Sequence, residues 1–321
     1  MNRGLALFLF LCASSVPASA QIWPNRPIHM YVAQGAGGGQ DTIIRYISDK
    51  LSQVLGQSII VENRPGAGAV IGTQASARAV PDGYNFAVTS SAAIASNPHL
   101  VKNLPYDPIK DFIPVALLSK PGFLISVRSS LDIRGLGDVV ALEKKSPGSL
   151  SVVIDGPRNA SGLTAAYFNK VSGANLRMVP YTSPSQGLQD VIGGNVDMFI
   201  APPGIHMPHI EAGKLRPLGV SGKQREPALP DVPSVSEAFP GFSITGWLMV
   251  SAPSGSPREA VEKMNLAIGR VLKDPAVVIW MQNFGSPSNM EAGDLTALSG
   301  FVRDEIALWG KIVDSIGLSP Q

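Results

Sequence analysis

The stretch VAQGAGGGQDTIIRYI, residues 32–47, sets four glycines, Gly35, Gly37, Gly38 and Gly39, within five positions directly after an apolar run. Glycine leaves the main chain bare and tolerates positive φ, so successive N–H groups can converge there on an anion. A helix pattern starts at Asp41, and its N-terminal dipole adds positive potential at the same place. A carboxylate or a phosphate fits such a nest; a tight turn holding nothing is the competing reading. A Walker loop needs Gly-Lys-Ser/Thr, and this stretch has no lysine. A dinucleotide fingerprint fares better, because Glu62 stands where a ribose-binding acid would. Its third glycine, however, falls on Gln40, and Asp41 would set negative charge beside the pyrophosphate. A secreted nucleotide-dependent oxidoreductase with a Rossmann-like site is therefore the alternative to a carboxylate binder.

Other chemistry is thinner. There is no Gly-x-Ser-x-Gly elbow, and the single cysteine, Cys12, lies in the apolar N-terminal run. His206 and His209 are separated by Pro208 and have only Glu211 nearby, so a surface or loop role is expected for them rather than a metal. Neither a metal nor a cofactor is expected.

These residues need a scaffold. Of 321 residues, 45% are hydrophobic and 16% charged, enough for a large core and two domains. The first twenty residues carry Arg3, a short apolar run and the ending Ala18-Ser19-Ala20, which reads as a signal peptide over 1–20 cleaved before Gln21. The apolar run is too short to span a bilayer. Beyond it the chain has 25 basic and 24 acidic residues, scattered along its length, which argues against nucleic acid.

Periodicity predicts a strand at 28–32, a helix at 42–55 capped by Asp41, a strand at 58–61, a small-residue helix ending near 79, and a strand at 84–88 that gives way to the polar run Thr89-Ser90-Ser91. The pattern restarts with strands at 150–154, 178–180 and 196–200 and helices at 163–171 and 185–192. Alternating strands and helices argue for mostly parallel sheets. Two apolar runs between 114 and 127, split by Ser119-Lys120-Pro121-Gly122, read as one crossing between units, and 244–252 as the return. Helices at 258–272 and 295–316 are expected to pack back on the first unit. Two lobes joined by two crossings make a hinged clamp.

The segments GGGQDTIIRYISDKLSQVLGQSIIVENRPGAGAVIGT, PDGY, NPHLVKNLPYDPIKDFIPVALL, VPY, GGNVDMFI, AGKLRPLGVSGKQREPALPDVPSVSEAFPGF and EIALWGKIVDSIG, in this order, resemble the Bug family, the substrate-binding receptors of tripartite tricarboxylate transporters. The resemblance runs from about Trp23 to Gly317. It implies an α/β, two-lobed type II periplasmic-binding-protein fold with a hinged interlobe cleft. Lobe 1 would comprise residues 21–122 plus 247–321 and lobe 2 residues 123–246. It further implies a periplasmic monomer, not an enzyme, that closes on a small carboxylate and presents it to a membrane permease. The ligand site would then draw on Gln34, Gly35, Gly37, Gly38, Gly39 and Asp41 after the first strand and on Thr89, Ser90 and Ser91 after the third. From lobe 2 it would draw on Asp155, Gly156, Arg158, Asn159 and Ser161, on Tyr181, and on Ala201 and Pro202.

The chain departs from the family where the ligand is read. Ala33-Gln34-Gly35 replaces a Pro-Phe-Pro-like entry to the glycines, and IDGPRNASGL replaces a Ser/Gly-rich second loop. Arg158 is therefore the candidate to grip a second carboxylate bidentately, against a solvated arginine or an Arg158–Asp155 pair. Aliphatic di- and tricarboxylates and aromatic dicarboxylates both fit these expectations.

Overall fold

Alternation and helical periodicity appear in the burial of the chain. Strand β1 (Ile28–Val32) buries Ile28, Met30 and Val32 and leaves His29 and Tyr31 partly exposed, as a pleat with one core face requires. Helix α1 (Gly39–Leu55) buries Ile43, Ile44, Ile47 and Leu51 along one stripe. The computed structural model describes residues 23–181, 183–287 and 293–321, so the expected signal peptide and its cleavage site lie outside the described residues.

The chain continues through β2 (Ile59–Asn63), α2 (Val70–Ala77), β3 (Asn85–Ser90), a single π-turn over Ala92–Ser96, α3 (Asn97–Leu100) and β4 (Phe112–Ser119). It then passes into β5 (Leu124–Arg128), α4 (Leu136–Lys145), β6 (Ser151–Ile154), α5 (Ala160–Ser172), β7 (Arg177–Pro180), α6 (Pro184–Gly193), β8 (Met198–Ala201), α7 (Pro203–Glu211) and β9 (Leu215–Val220). After α8 (Val235–Ala238) it returns through β10 (Leu248–Pro253) to α9 (Arg258–Leu272), α10 (Pro275–Asn283) and α11 (Leu295–Ser315).

Two five-stranded sheets result, ordered β2-β1-β3-β10-β4 and β7-β6-β8-β5-β9. In each, three parallel strands are followed by one antiparallel strand: β10 in the first sheet, β5 in the second. Those two strands adjoin the crossings, so each sheet is completed by chain arriving from the other unit. The crossings lie side by side: Gly122 bridges Thr245, and Gly246 N–H donates to Pro121 O at 3.0 Å. Buried Glu305 on α11 holds both, accepting from Lys120 Nζ at 2.8 Å and from Trp247 Nε1 at 3.1 Å.

One apolar core lies within the first unit, where Met30, Ile47, Phe86 and Val250 meet Met264 and Ile268 of α9. Another runs across the crossings and joins Ile94 and Trp309 of the first unit to Leu163 and Phe168 of α5 in the second.

The structure corrects several expectations. Helix α1 starts at Gly39, with Gly38 in the N-cap position, so Asp41 is a first-turn residue and not the cap. Strand β3 continues through Thr89 and Ser90, which pair with Met249 and Leu248, because β10 lies alongside to receive them. His206 and His209 are not in a loop. They lie on α7, which carries Pro208 in its interior despite the hydrogen bond lost there and the crowding of the proline ring against the preceding turn. His206 is fully buried, with Nδ1 2.8 Å from Ser126 Oγ.

Candidate functional site

In a doubly wound sheet, ligands gather beyond the carboxyl ends of the parallel strands, where loops enter helices. In the first unit that place is the turn from β1 into α1. Only glycine readily takes the φ of 77° at residue 37, which turns the chain back on itself. The loop then satisfies much of its own backbone. Gly37 N–H donates to Asp41 Oδ2 at 2.9 Å, Gly38 N–H to Gly35 O at 3.1 Å, and Gln40 N–H to Gln34 Oε1 at 2.9 Å. Gln34 and Asp41 therefore shape the loop through their side chains.

Asp41 is buried, and its Oδ1 accepts from Arg45 Nε and Asn63 Nδ2, each at 2.8 Å. Burial pushes the Asp41 pKa up, but the hydrogen bonds from Arg45, the Gly37 N–H and Asn63 outweigh it and hold the carboxyl below its ordinary value. Asn63 also donates to Gln34 O at 3.0 Å and so ties β2 to the loop. Among the described residues, no acceptor engages the N–H of Gly39 or Asp41. Gly39 is exposed, and a Cβ placed on it would meet nothing within 4 Å. The part of the nest open to an incoming anion is the start of α1, narrower than the whole glycine run.

The polar run at the end of β3 is less available than expected. Thr89, Ser90 and Ser91 are all buried. Thr89 Oγ1 lies 3.2 Å from Met249 O and 2.9 Å from Ser251 Oγ, Ser90 Oγ accepts from Ala93 N–H at 3.4 Å, and Ser91 N–H donates to Trp247 O at 3.1 Å. These residues tie β3 to β10 and to the return crossing. Gln40, absent from the expected set, carries a buried side-chain oxygen with no partner among the described residues.

In the second unit, the loop from β6 folds onto the first turn of α5. Ser161 Oγ accepts from Asp155 N–H at 2.8 Å and donates to Asp155 Oδ1 at 2.5 Å, while Asn159 Nδ2 donates to Asp155 O at 2.9 Å. A Cβ on Gly162 would stand 2.0 Å from Gly156 O, so that close approach needs a glycine. Crowding by protein raises the Asp155 pKa, against hydrogen bonds from Ser161 and the backbone that lower it, yet the residue is exposed.

Arg158 does not pair with Asp155. Its Nη1 donates to Leu100 O at 2.9 Å and its Nη2 to Ser319 O at 2.6 Å. Tyr181 packs on Gly187 and donates its hydroxyl to Asp190 Oδ2 at 2.6 Å, a bond that holds the phenol above its ordinary pKa. Ala201 is buried, and Pro202 is exposed at the start of α7. No group of three or more His, Cys, Asp or Glu side chains among the described residues could hold a metal ion.

Two α/β units joined by paired crossings, with the starts of α1 and α5 at the ends of their parallel strands, define the class of two-lobed binding proteins. The chain belongs to the receptor family of tripartite tricarboxylate transporters: residues 43–318 match the family described as "Tripartite tricarboxylate transporter family receptor". Over 322 residues it is 31% identical to Protein BugT of Bordetella pertussis, an alignment covering 99% of this chain and 98% of that protein. Its structure is similar to that of R. palustris Rpa4515 with adipate, with a TM-score of 0.82 and 29% identity over 93% of this chain and 100% of the other. MatC from Rhodopseudomonas palustris with bound malate gives a TM-score of 0.78 and 29% identity over 91% of this chain and 100% of that one. The family and the fold expected from the sequence motifs both hold.

Proposed function

We propose that the chain is a periplasmic solute receptor, exported by a signal peptide at 1–20. It takes one small organic carboxylate, aliphatic or aromatic and with two or three carboxyl groups, between residues 21–122 plus 247–321 and residues 123–246. It acts as a monomer without a cofactor and delivers the acid to a tripartite tricarboxylate transporter permease. The observation that carries this reading is the pair of unengaged N–H groups, Gly39 and Asp41, at the start of α1. Donors already fixed by the fold replace carboxylate hydration with little ordering cost and no balancing cation. The Gly35–Gly39 turn and the Gly156–Asn159 loop are the two walls, and bridging waters let one site accept acids of different length. The adipate and malate bound to the two similar proteins are carboxylates of this kind.

Melting of the protein purified from Gln21 onward tests the reading against adipate, malate, citrate, phthalate, glutamate and NAD. A carboxylate present at 100 times its dissociation constant stabilises by about 2.7 kcal/mol. A response to NAD alone would replace the receptor reading with the nucleotide-dependent one.

A further inference from the structure

Arg158 stands on the loop between β6 and α5, in the unit built on the second sheet. Both its hydrogen-bond partners belong to the unit built on the first. Leu100 ends α3, 58 residues away, and Ser319 lies in the tail after α11, 161 residues away. The tail itself is fixed along α3: Gln321 N–H donates to Leu100 O at 3.1 Å, and Lys102 N–H donates to Gln321 O at 2.9 Å. Leu100 O thus accepts both from the tail and from Arg158.

The chemistry suits a clasp. The Leu100 carbonyl ends α3 and lacks an intrahelical donor, the Ser319 carbonyl lies in the tail after α11, and a guanidinium presents a rigid fork of donors able to meet both at once. A second contact joins the units at another lobe 2 loop. Gly204, at the start of α7, packs so closely on Phe284 and Gly285 that a Cβ on it would fall 1.9 Å from Phe284 O. Neither contact lies on a crossing strand, so each ties the units together in addition to the crossings themselves.

We infer that Arg158 is the positioning residue of the closed receptor: it latches the second unit to α3 and the C-terminal tail, and does not itself grip the ligand. The inference rests on the receptor reading above. Occupied by Leu100 O and Ser319 O, Arg158 adds the same increment to the retention of any carboxylate, and discrimination between one carboxyl group and two falls to the neutral donors of the two loops.

The test uses the full mature chain, which has no cysteine after Cys12, with spin labels at the exposed positions Gln53→Cys and Lys145→Cys. Inter-label distances are measured for wild type, Arg158→Ala and Arg158→Lys, with and without adipate. The compact population falls severalfold in Arg158→Ala and by less in Arg158→Lys, whose ammonium keeps the charge and N–H donors but not the planar fork, while melting shows both variants folded. An unchanged compact population in the alanine variant overturns the latch. In a second arm, koff for adipate and for hexanoate, its one-carboxyl counterpart, rises by a common factor of about ten in Arg158→Ala with kon unchanged. A loss confined to adipate makes Arg158 a carboxylate contact and overturns the inference. Should neither acid bind wild type, the carboxylate reading loses its support, and the distances still decide the latch.

Discussion

Gly39 separates folding from binding more cleanly than any other residue of the glycine turn. Its φ lies outside the left-handed region, and an added Cβ meets no atom within 4 Å, so the backbone tolerates a side chain there. It is also the first residue of α1, where replacing glycine by alanine stabilises a helix by about 0.5–1 kcal/mol. A side chain there takes up space that an anion would occupy in reaching the unengaged Gly39 N–H, and more of it the bulkier the side chain. A hydrogen bond to a charged group contributes about 1.5–3 kcal/mol, which corresponds to roughly a tenfold to hundredfold loss of affinity. Gly39→Ala, and more so Gly39→Leu, should keep or raise the melting temperature of the ligand-free protein while weakening every carboxylate that binds wild type. Gly37→Ala is the contrast, since its φ of 77° strains any other residue and lowers stability. Calorimetric titration beside thermal melting reads both quantities. Wild-type affinity in Gly39→Leu would refute the assignment of the α1 start as the carboxylate site.

Two further predictions concern the scaffold. Asp41→Asn removes the charged acceptor of Arg45, Asn63 and the Gly37 N–H and should cost about 1–3 kcal/mol in urea unfolding at neutral pH. Because the folded pKa of Asp41 is depressed, its contribution is present above the ordinary carboxylate value and lost as pH falls through the folded one, so the variant should show a shallower acid limb. His206 is lowered to about 3 by burial, so the fold favours its neutral form. Stability should decline as pH falls from about 6.5 toward that value, by up to about 1.4 kcal/mol per pH unit, and His206→Phe should flatten the decline; the wild-type slope in the variant would assign it to other groups.

Much of this architecture is legible in the sequence because it is written in local periodicity. The alternation at β1, the apolar stripe of α1, and the two runs split at Lys120-Pro121-Gly122 all mark elements that the structure contains. Strand β9 is harder to read, since Pro217 interrupts it; the strand tolerates a missing N–H because it is the edge strand of its sheet, with β5 as its one neighbouring strand. Helix α7 is concealed by its prolines in the same way. At the site, glycine spacing marks the turn but not which of its donors are free. That depends on Asp41 and Gln34 reaching back to the turn and on Asn63 arriving from the neighbouring strand. The partners of Arg158 are main-chain carbonyls remote in sequence, and any residue type supplies those.

The most direct test of the account is a 15N-resolved titration of the mature protein with adipate, malate and phthalate. The amide signals of Gly39 and Asp41, together with those of Gly156 and Asn159, should move along one saturable curve for each acid that binds. Saturable binding that leaves Gly39 and Asp41 unmoved, or shifts confined to the surface depression at Trp23, Arg26 and Tyr84, would contradict a carboxylate held between the two units.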